Sequence, residues 1–523
     1  MNLNSNSSLK PKNKSTLTMC VAHTKYQVVR YVSRKLMGWR LTKNDNPDNW
    51  DVMWLDCTVA PSVFATMKPY QRVNHFPGMY AIARKSNLCM NLNKMRKLFP
   101  DDYDFFPKTW FLPAEYSEFQ EEFYQGDSHT YIVKPEASSQ GRGIFLIQDI
   151  QDMDKIEHYI VQKYVDKPLL IEGLKFDMRI YVLVTGCDPL RLWIHEEGLA
   201  RFATEEYKKP SGGNLDKICM HLTNYAVNKR NSKFIGNQDA EADDVGHKRS
   251  ISAVFTYLEE KGYDVESLWN GICDIIIKTL CTIQPSLAHT YKSCQPEDLS
   301  NAMCFEILGF DILVDSDLKP WLLEVNHSPA FSTDSPLDKK IKRQVIKEAL
   351  CMMGLSTKDK KNYEISKRNQ IMRRSVYNQS IRERMQEKEI MRENIQSQRD
   401  INEEENCGAY IKIFPDNNDE YYQNFMNYSK EIWEEFTGSR SRMPSFKDEI
   451  PRPKSSGGSR RNISSAPQAI KSNDRSLLRH VETPSPKEFL PSKKDLKYVW
   501  DQKEGYVNSN LAMYLPAKDR KKR

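Results

Sequence analysis

Phe310-Asp311-Ile312-Leu313-Val314 and Trp321-Leu322-Leu323-Glu324-Val325-Asn326 flank a polar segment running from Asp315 to Pro320. Two apolar runs around a short polar turn read as a β-hairpin. Centring that turn between Asp317 and Leu318 sets Asp311 opposite Glu324. Cross-strand partners share a face, and Asn326, two residues on, shares it as well. Carboxylates facing each other among apolar positions repel unless a cation bridges them. Two carboxylates and an amide oxygen are hard ligands, suited to Mg2+ held jointly with nucleotide phosphates. The bland alternative is a strand-edge Asp311 and a Glu324 paired with a lysine.

Working outward, Tyr131-Ile132-Val133-Lys134-Pro135 is strand-like, and a loop through Gln140-Gly141-Arg142-Gly143 leads to a strand at Gly143–Ile147. Backbone amides in such a glycine-containing turn can close over phosphates, with the lysine adding a point charge. The loop is not of the G-x-x-x-x-G-K-S/T kind, and the kinase H-R-D and D-F-G set is absent, so a nucleotide site here follows neither of those designs. In Lys175-Phe176-Asp177-Met178-Arg179-Ile180-Tyr181, alternation puts Lys175, Asp177 and Arg179 on one face. Leu199-Ala200-Arg201-Phe202 and His221-Leu222-Thr223-Asn224-Tyr225 follow closely, and together they build a polar, cationic pocket that suits carboxylates and phosphates.

The rest of the chain sets the frame. It has 523 residues and a net charge of +7, but from Lys339 to Arg384 there are fourteen Lys/Arg against four Asp/Glu. That block suits an acidic polymer surface, with a solvated helix face as the plain alternative. Eleven cysteines without a C-x-x-C pair read as reduced thiols. The first seventeen residues lack a signal-peptide core, and no apolar run approaches the roughly 20 residues that span a bilayer, so a soluble intracellular protein is expected. The expected fold class is α/β (α+β). Residues 1–18 are expected to be disordered, 19–105 an N-terminal α/β domain, 106–165 a central domain and 166–345 a C-terminal domain. A basic helical extension at 346–437 and a disordered tail at 438–523 complete the layout.

With these residues in view, the sequence resembles the ATP-grasp ligases of the tubulin tyrosine ligase-like family. The matching stretches are Lys134–Phe145, Gln162–Val165, Lys175–Tyr181, Leu199–Phe202, His221–Asn224 and Phe305–Ser328, in the family order. Val73–Met79, Cys187–Arg191 and Glu324–Pro329 are similar to the branch of polyglutamylases that elongates glutamate chains, and the basic block resembles that branch's microtubule-binding segment.

The resemblance implies an ATP-grasp fold and a role for each matching residue. Lys134 touches ATP phosphate, with Gln140, Gly141, Arg142 and Gly143 closing as a lid. Gln162, Lys163, Tyr164 and Val165 form the hinge at adenine, Lys175 and Asp177 contact the nucleoside, and Thr223 and Asn224 line the nucleotide. Arg179 faces the reacting carboxyl or acyl phosphate, Arg201 the glutamate substrate, and Tyr225 lies beside it. These two arginines and Lys134 carry the catalysis. Asp311, Glu324 and Asn326 hold Mg2+. A cation near 248 meets the glutamate side chain; Lys248 and Arg249 both fit, and Lys248 is preferred. His327 and Gln140 are candidates for choosing between starting and extending a chain. The implied partners are free L-glutamate and the acidic C-terminal tails of tubulin in microtubules, with no nucleic acid and no membrane. The implied enzyme is a monomer of the cytoplasm and cytoskeleton, at the axoneme or basal body of the cilium. Readings still open are a glycylase or tyrosine ligase of the same family, or an inactive microtubule-binding protein.

Overall fold

The computed structural model describes residues 16–125, 130–136, 141–153, 157–376, 380–416 and 419–438. Of the segments expected to be disordered, 1–15 and 439–523 lie outside the described residues, whereas Thr18 already belongs to a strand.

Three sheets make a mixed α/β architecture. The first is Thr18–His23 (β1), Arg40–Thr42 (β2), Val52–Leu55 (β3) and Arg72–Val73 (β4), parallel in the order β2-β1-β3-β4. Parallel neighbours need crossovers, and the first is helix α1 (Gln27–Tyr31). Val28, Val29 and Val32 are buried as their spacing predicts. Leu36, next on that 3.6-residue stripe, is 44% exposed, because the helix widens into a π-turn over Val32–Leu36 that carries it off the stripe. The edge strands β2 and β4 are too short to show alternation.

The second sheet is antiparallel: Thr109–Phe111 (β5), Tyr131–Pro135 (β6), Phe145–Ile147 (β7) and Tyr159–Lys163 (β8), in the order β5-β8-β6-β7. It packs its own small core, Trp110, Leu112, Tyr131, Val133, Ile147 and Val161, with Phe119 from helix α2 (Tyr116–Gln125). The strand expected to begin at Gly143 begins at Phe145, since Gly143 sits at φ +68°.

The third sheet carries the site. Its strands are Leu170–Ile171 (β9), Leu174–Cys187 (β10), Leu190–His195 (β11), Leu199–Phe202 (β12), Lys248–Ser250 (β13), Glu306–Val314 (β14), Pro320–Asn326 (β15) and Tyr410–Phe414 (β16). The long β10 lies between β12 and β14 at its start, and between β11 and β14 at its end. Its Phe176, Met178, Ile180, Val182 and Val184 face one core, together with helices α3 (Val265–Cys281) and α4 (Gln284–Cys294). Tyr181 and Leu183 face a second core shared with β1. The first sheet is tied on by Val73, whose carbonyl accepts from the Phe305 N–H at 3.0 Å. A buried pair adds to this: His75 Nδ1 lies 2.8 Å from Glu306 Oε1, and the Phe76 N–H donates to Glu306 Oε2 at 2.8 Å.

A boundary at 345 followed by a helical extension does not describe residues 346–437. Helix α5 (Pro336–Met352) runs through 345 and buries Val345, Ile346, Ala349, Leu350 and Met352 in the second core. The described side chains of helix α6 (Asp359–Val376), and most of those of helix α7 (Ile381–Glu405), are largely exposed. The end of α7 is clasped: Arg191 Nε donates to Glu403 Oε2 at 3.0 Å, Arg399 Nε donates to Glu403 Oε1 at 2.8 Å, and Glu403 is 1% exposed. The chain then re-enters the sheet, β16 pairing antiparallel with β11. Helix α8 (Asp419–Thr437) buries Tyr422, Phe425 and Met426 in the first core. The reason is tertiary: a short strand and one apolar helix face complete a sheet at β11, some two hundred residues upstream. Nor is the basic block all surface, for Lys342 is 6% exposed.

Ending the chain after Glu405 removes β16 and α8. Tyr410, Phe414, Tyr422, Phe425 and Met426 are each at most 8% exposed, and each such side chain contributes about 1.5–3 kcal/mol on burial. Their sum rivals the ~5–15 kcal/mol stability of a whole domain. The truncated chain should show no cooperative thermal transition. A melting temperature within a few degrees of the full chain would refute the structural role given to these elements.

Candidate functional site

The register of the third sheet sets charged residues in two rows. Asp177 on β10 pairs with Arg201 on β12, which pairs with Lys248 on β13. Two residues along, Arg179 pairs with Asp311 on β14, which pairs with Glu324 on β15. Asp311 thus faces Glu324 as the hairpin reading expects, by a different route. Val314 pairs with Pro320, so the loop is shorter than a turn centred between Asp317 and Leu318 implies, and a bulge between Asp311 and Ile312 restores the register.

Asp311 is 2% exposed. Arg179 Nη2 donates to its Oδ2 at 3.0 Å, and Arg201 Nη2 lies 2.8 Å from the same oxygen. Arg201 also grips Asp177, Nε donating to Oδ1 at 2.9 Å. Burial alone would push the Asp311 carboxyl up, but the two guanidinium groups outweigh it and hold it well below the usual carboxylate range. Glu324 goes the other way: burial, then the charge of Asp311, push it up. Asn326 Nδ2 donates to Glu324 Oε1 at 3.1 Å. Among the described residues no ion pair gives Glu324 the cationic partner that Asp311 has, which is the situation a divalent cation relieves. Among the described residues no three or more His, Cys, Asp or Glu gather into a metal site. Two carboxylates and an amide oxygen are hard donors, and by their chemistry Asp311, Glu324 and Asn326 fit Mg2+ whose remaining ligands come from a bound phosphate.

A cleft opens between the second and third sheets, with Lys134, Gln162–Val165, Lys175, Asp177, Thr223, Asn224, Asp311 and Glu324 in its walls. Pro107, Ile132, Ile144, Leu222, Leu313 and Leu323 add apolar surface, so a flat ring and a polyanion can be held side by side. Lys134 Nζ donates to Gln162 Oε1 at 2.8 Å, and Gln162 Nε2 donates to Thr109 Oγ1 at 2.9 Å. Gln162, expected at adenine, is thus 2% exposed and anchors the lysine. Lys175 Nζ donates to the Tyr164 hydroxyl at 2.8 Å. Burial lowers both lysines, Lys134 to about 8 and Lys175 to about 7, with nearby carboxylates opposing.

The glycine loop presses on this cleft. At Gly141 (φ +78°) a Cβ would fall 2.8 Å from Val227 Cγ2 and 3.3 Å from Asn224 Oδ1, so no larger residue fits without displacement. Arg142 is exposed, and Gln140 lies outside the described residues.

The remaining expected residues lie off the cleft lining. Alternation separates Lys248 from Arg249: Lys248 shares the face of Arg201, while Arg249 Nη2 donates to Glu172 Oε2 at 2.6 Å. Lys248 Nζ donates to Asp338 Oδ2 at 2.7 Å and sits 3.7 Å from the centroid of the Tyr225 ring. His327 is half-buried with its ring 5.8 Å from that of His75; burial, then His75 and Arg84, lower it to about 4, so it is neutral at physiological pH. Sequence reasoning missed Thr109, Asp338 and Lys342. Lys342 is read there only as one charge of a basic run, and Asp338 lies just ahead of that run.

The chain matches the tubulin-tyrosine ligase family over residues 64–363. It is 49% identical over 434 residues to a probable beta-tubulin polyglutamylase of Tetrahymena thermophila, covering 82% of this chain and 36% of that protein. It is 43% identical over 435 residues to tubulin polyglutamylase TTLL6 of Mus musculus (83% and 52%) and 37% identical over 470 residues to tubulin polyglutamylase TTLL7 of Homo sapiens (85% and 52%). The chain therefore spans between about a third and half of the length of these relatives.

The depressed Lys134 makes a pH prediction. Its amine is largely neutral above about pH 8 in the free protein, while a bound polyphosphate favours the ammonium. ATP binding should therefore take up protons, and affinity should fall as pH rises from 7 to 9, by up to about tenfold per unit for one proton. Calorimetry at pH 9 in two buffers of different ionisation heat should show uptake of about one proton. Equal heats in both buffers would remove Lys134 from the phosphate site.

Proposed function

The chain belongs to the tubulin-tyrosine ligase family, and from that premise we propose that it is an ATP- and Mg2+-dependent ligase adding glutamate to tubulin C-terminal tails, favouring chain elongation. The observation that carries this reading is the pair of rows on the third sheet, set beside a cleft with Lys134 and Lys175 in its walls. Cations from several strands converge where carboxylates and phosphates must meet. The names of the similar proteins, tubulin polyglutamylases, agree with it.

The chemistry needs no protein nucleophile. A tail carboxylate oxygen attacks the terminal phosphorus of ATP and ADP leaves, giving an acyl phosphate. The amine of free glutamate then attacks the acyl carbon, phosphate departs and the amine proton is lost. Lys134 binds and orients the phosphates. Arg179 and Arg201, held rigid by Asp311 and Asp177, present donors to the reacting carboxylate and to the incoming amino acid. Their geometry exists before substrate arrives, which is where such sites gain most of their rate. Mg2+ on Asp311, Glu324 and Asn326 would supply neutralisation of phosphate charge. Lys248 favours glutamate over glycine, which has no side-chain carboxylate. The exposed Lys358, Lys360, Lys361, Lys367 and Arg368 on and just before α6 suit an acidic microtubule surface. The same reading puts the enzyme on the cytoskeleton, with the axoneme or basal body as the first place to look.

Mass spectrometry of tubulin tails after incubation with the protein, ATP and single amino acids tests this directly. Glutamate should add, and addition of glycine or tyrosine instead would replace the reading. Glu324→Gln should abolish ligation with melting temperature retained, since it keeps volume and removes the charge beside Asp311; a variant ligating at near parental rate would end the metal assignment.

Changing Lys358, Lys360 and Lys361 together to Ala should weaken microtubule binding by up to about a hundredfold at low salt, because each exposed charge contributes ~0–1 kcal/mol. Ligation on a free tail peptide should be unchanged. A parallel fall on peptide and microtubule would place these lysines in the fold or the active site.

A further inference from the structure

The first turn of α5 brings an acid to the far end of the Lys248–Arg201–Asp177 row. Asp338 is 0% exposed, and its neighbours are Lys248 at 6% and Lys342 at 6%. Lys248 Nζ donates to Oδ2 at 2.7 Å, and Lys342 Nζ lies 2.7 Å from Oδ1. Ser335, the helix N-cap, receives the Asp338 N–H at 3.1 Å and fixes the turn. Lys342 Nζ also donates to the Ser332 carbonyl at 2.6 Å, which leaves it tied in place. Lys248 differs: among the described residues Asp338 is its one hydrogen-bonding partner, and the Tyr225 ring covers a second side at 3.7 Å.

Charge counting makes the site incomplete. At this end of the row one carboxylate faces two ammonium groups, while at the other end Arg179 and Arg201 face Asp177, Asp311 and, beside Asp311, Glu324. A buried surplus positive charge is costly unless an anion joins it. Lys248 is the cross-strand partner of Arg201 and shares its face.

We propose that Asp338 is a positioning residue that, with Lys342 beside it, aims the Lys248 ammonium at the side-chain carboxylate of the incoming amino acid, making this cluster the selector for acidic amino acids. The proposal rests on the ligase reading and deepens it. A substrate carboxylate balances the surplus charge; glycine or tyrosine leaves it unbalanced.

The test uses the full chain, ATP and a tubulin tail peptide, with KM for glutamate, KM for ATP and kcat measured on each variant. In Asp338→Asn the oriented, charge-assisted contact is lost, and KM for glutamate should rise about 10- to 100-fold while KM for ATP stays within about twofold. The double variant Asp338→Asn/Lys342→Met removes one charge of each sign, so it should keep the fold and show the same selective rise. Asp338→Glu should recover part of it. An unchanged glutamate KM in the double variant, or a parallel rise in the ATP KM, overturns the proposal. Failure of both asparagine variants to fold assigns Asp338 to the core alone and overturns it too. A parent that ligates glutamate while the variants behave as parent removes only the positioning role; a parent inactive with glutamate removes the ligase reading as well.

Discussion

Two guanidinium groups closing on one buried carboxylate, Asp311, are the constraint from which the rest of the site follows. Arg179 and Arg201 come from adjacent strands, and each needs its carboxylate because a lone charge at this depth is not tolerated. The network therefore locks β12, β10 and β14 in one register, and Glu324 then has a single place to stand. Room for it is made by omission. A Cβ at Gly309 would fall 2.9 Å from Arg179 Cδ, and one at Gly198 would fall 2.4 Å from the Arg179 carbonyl. The backbone thus yields so that one arginine can lie flat across the sheet.

On β10 the same face changes character along its length. Lys175, Asp177 and Arg179 are polar, and Tyr181 and Leu183 then enter a core, while the opposite face is apolar from Phe176 to Val184. The charged end is fixed by the apolar end of the same strand, so catalytic geometry and stability share one element. The second sheet, with its separate small core, supplies Lys134 from across the cleft.

What the sequence discloses follows from range. Asp311 and Glu324 stand out because they interrupt apolar strands, and alternation alone puts Lys175, Asp177 and Arg179 together. The bulge beside Asp311 leaves no local mark, so the right pairing comes from the wrong turn length. Alternation also separates Lys248 from Arg249, but only once the β12–β13 register is known. Lys342 reads as one charge in a basic run; its burial depends on Asp338, four residues back on the same helix, and on a strand far upstream. Tyr410–Phe414 is five residues with a partner more than two hundred positions away, and no window along the chain could join them.

That late strand bears on how the molecule is made. A ribosome releases the lysines, arginines and carboxylates of the cleft well before it releases residues 410–414, and domains tend to assemble from the N-terminal side as they emerge. Until then β11 offers an open row of backbone donors and acceptors, the template on which stray chains add. The charged helices α6 and α7 are synthesised during that interval, so the nascent protein carries its most water-loving stretch while its sheet is still open.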